Sequence, residues 1–460
     1  MRRPSAPSNA SYAYLYENAA PRGGELIEFA ARHVQFFVSI RESRLLVTVA
    51  IAFKWHLYYH GNIIYRGNLM ASTDPTSLPL VHLSPVANSQ NAWVSLTMRV
   101  LPIAGQPDAG LHSVFGTSDF LAAVAPLNCI VLLDNAEVLT ETLLESMPTA
   151  RVGFAIRSEA LVDAAAGARA LALSGHGYRV LLDGAPLAGN ANMVALRAVA
   201  TDFSLFPARR DVLPLMYGPH LAYGVHTAAQ RAECARTGYE WFAGDYALRP
   251  APSRNPDDGS SRKRLMALLG LLARDAETRE IEHLLKQDPT LSYHLLKLAN
   301  SAAFAHTMPI TSFGQAISLL GRRQLQRWLQ LLLYARQQPD ALANPLLPIA
   351  ALRASMMEAL VKEAGGDREE QDLAFMTGVF SLLDLLLAMP MDEIVGALQL
   401  PPLASEALLA RTGRFGTLLA LAESTCVTPG MLDGAELSTN AWWLIQLHAY
   451  HWAIQVSRSL

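Results

Sequence analysis

Short apolar runs recur through the first half of this chain, at 129–133, 152–156, 178–182, 203–206, 221–225 and 241–242. Stretches of helical composition, such as 160–173 and 228–236, lie between them. A strand must pair its backbone in a sheet, and parallel neighbours need a long crossover, usually a helix. The alternation therefore predicts repeated β/α units around a parallel sheet, and the length of the segment suits an eight-unit barrel. A doubly wound open sheet is the alternative, but no Gly-rich phosphate fingerprint follows any of the runs.

The chain has 460 residues, enough for two or three cores. It is 51% hydrophobic and 17% charged, with a formal net charge of -3, so nothing draws it to nucleic acid as a whole. Cys129, Cys234 and Cys426 fall in no CxxC or Cys/His spacing and read as buried thiols of a reducing compartment. The opening MRRPSAPSNASYAY has no apolar stretch behind its arginines, so a cytoplasmic location is expected. Stretches 45–53 and 375–391 are too short, or broken by Asp384, for a membrane helix of about 20 apolar residues. Residues 1–24, rich in Pro, Ser, Asn and Gly, read as a flexible tail. RPAPSRNPDDGSSRKR, 249–264, interrupts the apolar pattern. This divides the chain into a barrel at 25–250 and a helical domain at 251–460 that includes a linker at 251–262. A fragment beginning near Ser260 is then expected to fold alone.

The second half is helical in period. In the run from Asp288 to Tyr334, Leu291, Leu295 and Leu298 share a helix face entered through Asp288-Pro289. Thr311-Ser312 can cap a second helix that ends at Gly321, and a third follows from Arg322. LLKLANSAAF followed by ITSFGQAISLLG closely resembles the HDOD domain of bacterial signalling proteins, a helical relative of the HD phosphohydrolases. In the first half, GYRVLLDGAP (177–186) resembles the strand of the EAL phosphodiesterase domain that normally ends in paired aspartates, and GYEWFAGDYALRP (238–250) resembles its last strand and closing turn. An EAL domain followed by an HDOD domain is a known bacterial pairing. The resemblance is strongest in the HDOD half and weak before about Leu127.

The resemblance implies a specific site. EAL enzymes hydrolyse cyclic di-GMP with two divalent cations roughly 4 Å apart, held by oxygen ligands. Carried over position by position, the signature glutamate falls at Asn62, the metal asparagine at Leu133 and the next metal glutamate at Ala155, with Glu159 several residues too late. Asp183 is kept, but its partner is Gly184. The lysine falls at Leu205, the aspartate two residues on at Pro207, a further glutamate at Tyr223 and the glutamine of the last turn at Ala243. One carboxylate cannot hold two metals, so the resemblance implies a degenerate, catalytically inactive barrel without metal or cofactor. Arg66 and Arg249 are the residual cations, and cyclic di-GMP binding is expected to be weak or absent. The HD dyad falls at Ser381 and Leu382, with Asp384 nearby and no histidine. The resemblance thus implies signalling through an unidentified protein partner, in motility or surface attachment. A cyclic di-GMP receptor and an active phosphodiesterase are the alternatives.

Other signals are weaker. Arg322, Arg323 and Arg327 give one helix a basic side with no neighbouring acids, either a solvated face or a docking surface. Exchange of Arg323 and Arg327 for Glu should then hardly move the melting temperature. His448 and His451 lie one turn apart but lack neighbouring ligands, so no metal is expected. Trp442, Ile445 and Ala449 follow a core spacing, and Ser174-Gly175-His176-Gly177 reads as a helix-to-strand turn.

Overall fold

The computed structural model describes residues 78–101, 108–116, 119–184, 196, 198–205, 218–250, 260–274, 276–285, 321–335 and 342–459. Asp74–Leu460 form one compact unit. Eight strands close a barrel in sequence order. They are β1 (Val81–Ala87), β2 (Trp93–Val100), β3 (Asn128–Leu133), β4 (Val152–Arg157), β5 (Arg179–Asp183), β6 (Ala198–Asp202), β7 (Leu221–Tyr223) and β8 (Trp241–Ala243). The barrel's helices are α1 (Ala109–Phe115), α2 (Asp119–Ala123), α3 (Glu141–Glu145), α4 (Ala164–Gly175) and α5 (Ala228–Arg236). Their starts are set by side-chain caps: Thr140 accepts from the Leu143 amide, Asp163 from the Ala165 and Ala166 amides, and Thr227 from the Gln230 amide.

β2 to β8 run parallel, whereas β1 is antiparallel to both its neighbours. A short turn suffices between antiparallel strands. Here Asn88 builds it, its side chain accepting from the amides of Gln90 and Ala92, and Asn91 takes φ 63. Alternation along the strands separates two cores. Val86, Ile130, Ala155, Leu181, Ala200, Leu221 and Ala243 fill the lumen, while Val131, Leu133, Phe154, Ile156 and Leu182 face the outer layer.

The predicted barrel is present, and five of the six apolar runs overlap a strand. The sixth, 203–206, lies just past β6, whose small Ala198, Val199 and Ala200 carry the pairing instead. β1 and β2 escaped the sequence reading because Ser84, Pro85, Ser95 and Thr97 break their apolar pattern. Residues 25–77, assigned to the barrel from sequence, lie outside the described residues, as do Thr311-Ser312 and the helix entry expected at Asp288-Pro289.

The remaining helices are α6 (Ser260–Ala273), α7 (Thr278–Leu285), α8 (Arg322–Leu332), α9 (Leu346–Glu363), α10 (Arg368–Phe380), α11 (Leu383–Leu387), α12 (Met391–Leu398), α13 (Pro402–Ala410), α14 (Gly413–Glu423), α15 (Pro429–Gly434) and α16 (Thr439–Ser459). Among the described residues none is long and apolar enough to cross a membrane. Trp442, Ile445 and Ala449 are buried, in keeping with their spacing.

The outer barrel core and the helical core are continuous. On α16, Trp443 stacks against Phe120 with ring centroids 5.6 Å apart, and Tyr450 donates to the Leu83 carbonyl at 2.8 Å. His451 Nδ1 donates to the Ala123 carbonyl at 2.9 Å. His82 Nε2 donates to the Val427 carbonyl at 2.8 Å. This continuity weighs against the expectation that a fragment from Ser260 folds alone, since removing the barrel would expose the rings of Trp443 and Tyr450 to water.

Phe120 is fully buried between Phe115 and Trp443. Phe120→Ala is expected to cost roughly 3–5 kcal/mol in chemical unfolding, monitored by tryptophan fluorescence, because the rigid seam cannot collapse around the lost ring. A loss below about 1 kcal/mol would show that the seam is loosely packed.

Candidate functional site

The C-terminal ends of the parallel strands form the mouth where a β/α barrel does its chemistry. Asp183 ends β5, Asp202 ends β6, Tyr223 ends β7 and Arg157 ends β4, with Asp134 just past β3 and Arg99 near the end of β2. The Tyr223 hydroxyl lies 2.8 and 2.9 Å from the two oxygens of Asp183. Arg157 Nε donates to Asp134 at 3.0 Å, and Arg99 approaches the same carboxylate at 3.5 Å. Burial raises the Asp183 carboxyl above its ordinary range, against the lowering effect of the Tyr223 hydroxyl and the Arg157 and Arg99 charges. Burial, then the Asp183 charge, pushes the Tyr223 phenol up. It stays a neutral donor. The mouth is thus an electrostatic chain of guanidinium, carboxylate and phenol, already internally paired.

Several positions carried over from the EAL resemblance need correction. Ala155, Tyr223 and Ala243 do point into the lumen, and Asp183 stands at the mouth. Gly184 follows Asp183 with φ 102, and a Cβ there would meet Ser158 Oγ at 3.0 Å, so the backbone rather than chemistry selects glycine. Leu133, however, faces the outer core, and its inward neighbour is Leu132. Leu205 is 59% exposed and lies beyond β6. The strand-end residues facing the lumen on β6 are Ala200 and Asp202, two residues apart; the sequence reading missed the latter because it placed the strand late. Asp202 accepts from the Ser204 amide at 2.9 Å and its hydroxyl at 2.6 Å. Asn62, Pro207 and Arg66 lie outside the described residues. On β2, register with Ile130 puts Thr97 on the lumen side, with Ser95 and Arg99 in step. Arg249 is paired with Asp245 at 3.2 Å, and Asp245 also meets His226 Nδ1 at 2.5 Å. Among the described residues no cluster of three or more His, Cys, Asp or Glu could hold a metal.

In the helical region a guanidinium stands at the dyad position. Arg353 Nη1 donates to Ser381 Oγ and to Glu423, each at 3.0 Å, and Arg411 meets both oxygens of Glu423 at 2.9 and 3.0 Å. Leu382 is buried in the apolar core.

The basic side of α8 is also corrected. Arg327 lies 2.5 Å from Glu358 and 2.8 Å from Asp372, and over the Phe375 ring at 4.6 Å; Arg323 lies 2.5 Å from Asp372. These acids sit on α9 and α10, remote in sequence and adjacent in the fold. The Arg322 side chain is outside the described residues. Cys129 and Cys234 are buried, as read, but Cys426 is exposed. The helix-to-strand turn at Ser174-Gly175-His176-Gly177 is present, with Gly177 at φ 93.

Arg327, with 11% side-chain exposure, cannot be reversed cheaply. Arg327→Glu should destabilise by roughly 3–5 kcal/mol, since it leaves Glu358 and Asp372 facing a third carboxylate. A melting temperature within about 2 °C of wild type would return this face to solvent.

Burial pushes the His448 imidazole down to about 4, with the Lys362 charge the next cause, and burial lowers His451 too. The folded chain therefore refuses protons that the unfolded chain accepts near pH 6.5. Stability should be complete above about pH 6.5 and decline toward pH 4, and His448→Gln should flatten that decline. An identical melting temperature against pH profile for the variant would remove His448 from the account.

The HDOD domain family model matches residues 262–387. The uncharacterized protein YuxH of Bacillus subtilis is 26% identical over 204 residues, 44% of this chain and 49% of its own length. The cyclic di-GMP phosphodiesterase CdgJ of Vibrio cholerae is 27% identical over 220 residues, 47% of this chain and 49% of its own. The chain spans about half the length of these curated relatives. Among solved structures, the EAL-like domain protein YdiV aligns at 15% identity with a TM-score of 0.29, over 37% of this chain and 92% of its own. An HDOD domain protein from Geobacter sulfurreducens aligns at 16% identity with a TM-score of 0.27, over 40% of this chain and 82% of its own. The molecule is an α/β barrel of eight strands followed by a helical region whose first part matches HDOD.

Proposed function

We propose that this chain is a non-catalytic member of the cyclic di-GMP signalling proteins, with a barrel of EAL type that has lost its metal ligands and a helical HDOD region. It works by binding a protein partner, in control of motility or surface attachment. The likeness to CdgJ, named a cyclic di-GMP phosphodiesterase, and the HDOD match support the family part of this reading. One observation carries the non-catalytic part: the Asp183 carboxylate, which a metal would need, takes the Tyr223 hydroxyl on both oxygens, with Arg157 and Arg99 supplying positive charge nearby. A two-metal hydrolase needs several convergent carboxylates. Leu132, Ala155 and Ala243 offer none from the lumen wall.

A receptor without turnover is the second reading, favoured by the partly exposed Arg99 and Arg157. Both are engaged by Asp134, so cyclic di-GMP should bind weakly or not at all. With magnesium or manganese, the protein is expected to leave cyclic di-GMP intact under chromatography. Metal-dependent release of the linear dinucleotide, abolished by Asp183→Ala, would refute the proposal. A micromolar calorimetric titration without turnover would select the receptor.

A further inference from the structure

At the opposite end of the barrel from the mouth, the N-terminal ends of β3, β4, β5, β6 and β8 surround a cavity of about 410 Å³. That is within the range of small-ligand pockets. Its floor is kept low by Gly153 and Ala198. Gly153 is required there, because a Cβ would lie 2.9 Å from the Arg179 carbonyl oxygen and 3.3 Å from its Cβ. Arg179 stands at the start of β5 with its guanidinium 5.0 Å from the centre of the Trp241 ring, which holds the side chain without using any of its N–H donors. Among the described residues the Arg179 guanidinium makes no hydrogen bond or ion pair.

The rest of the lining has the same bias. Arg151 adds a second positive charge, anchored by donation to the Leu121 and Leu127 carbonyls. The side chains of Asn128, Thr149 and Ser174 line the wall and make no hydrogen bond within the described structure. Among the described residues no carboxylate lines the cavity. Beside the Gly218 rim, Glu240 accepts from the His220 amide. A concave site that presents, among the described residues, two guanidiniums, three neutral donors and no acid has the complement of a doubly charged oxyanion.

We propose that this cavity is a binding site for a small phosphate-bearing ligand, gripped by the Arg179 fork, on the face opposite the barrel mouth. The claim does not depend on whether the mouth is catalytic. Inorganic pyrophosphate is the probe, titrated calorimetrically into the full chain at low ionic strength. One site is expected, weakened at least tenfold by Arg179→Met, and unchanged by Arg157→Met, which reports the mouth. The Asn128→Ala variant, which leaves the Trp241 stack intact, should weaken binding to a smaller degree. Absence of binding to the wild-type protein would overturn the proposal. So would a titration insensitive to Arg179→Met, or one abolished by Arg157→Met.

Discussion

Strand β1 closes the barrel, but it is only half paired on one side: β8 reaches Val86 and Ala87 and no further. The outward carbonyls of Val81 and Leu83 would otherwise be exposed strand edge, a liability for any sheet. Gln446 and Tyr450 of α16 donate to them, at 3.4 and 2.8 Å. His82, on the same strand, donates to Val427 beyond α14. The helical region therefore finishes the sheet as well as burying it. Pro85 fits this arrangement, since a strand that is paired incompletely can accommodate a residue without an N–H.

The two centres that the EAL and HD resemblances direct attention to share a physical solution. Each has positive charge supplied by arginine where a metal enzyme would concentrate cations. At the mouth this is Arg157 and Arg99 around Asp134 and Asp183; in the helices it is Arg353 and Arg411 around Glu423. A guanidinium brings donors of fixed geometry and needs no further ligands.

Legibility in the sequence followed the physics of each signal. Strands β3, β4 and β5 were visible because both faces are apolar, the lumen and the outer layer. β1 and β2 were not, since polar Ser95 and Thr97 point inward and satisfy themselves on backbone carbonyls. Asp183, Tyr223 and Ala243 fall on strand ends, as the carried-over positions require, whereas Leu205 lies beyond β6, which ends at Asp202. The partners of Arg323 and Arg327 were invisible for another reason. Salt bridges across helices leave no periodicity in either helix, so nothing in the sequence ties Glu358 and Asp372 to these arginines.

The central claim is that barrel and helices are one cooperative body joined through β1 and α16. Differential scanning calorimetry of the full chain tests it most directly. The account predicts a single transition in which the calorimetric and van't Hoff enthalpies agree over the barrel and helices together. Two resolved transitions, with Tyr450→Phe and Phe120→Ala shifting only one of them, would contradict it.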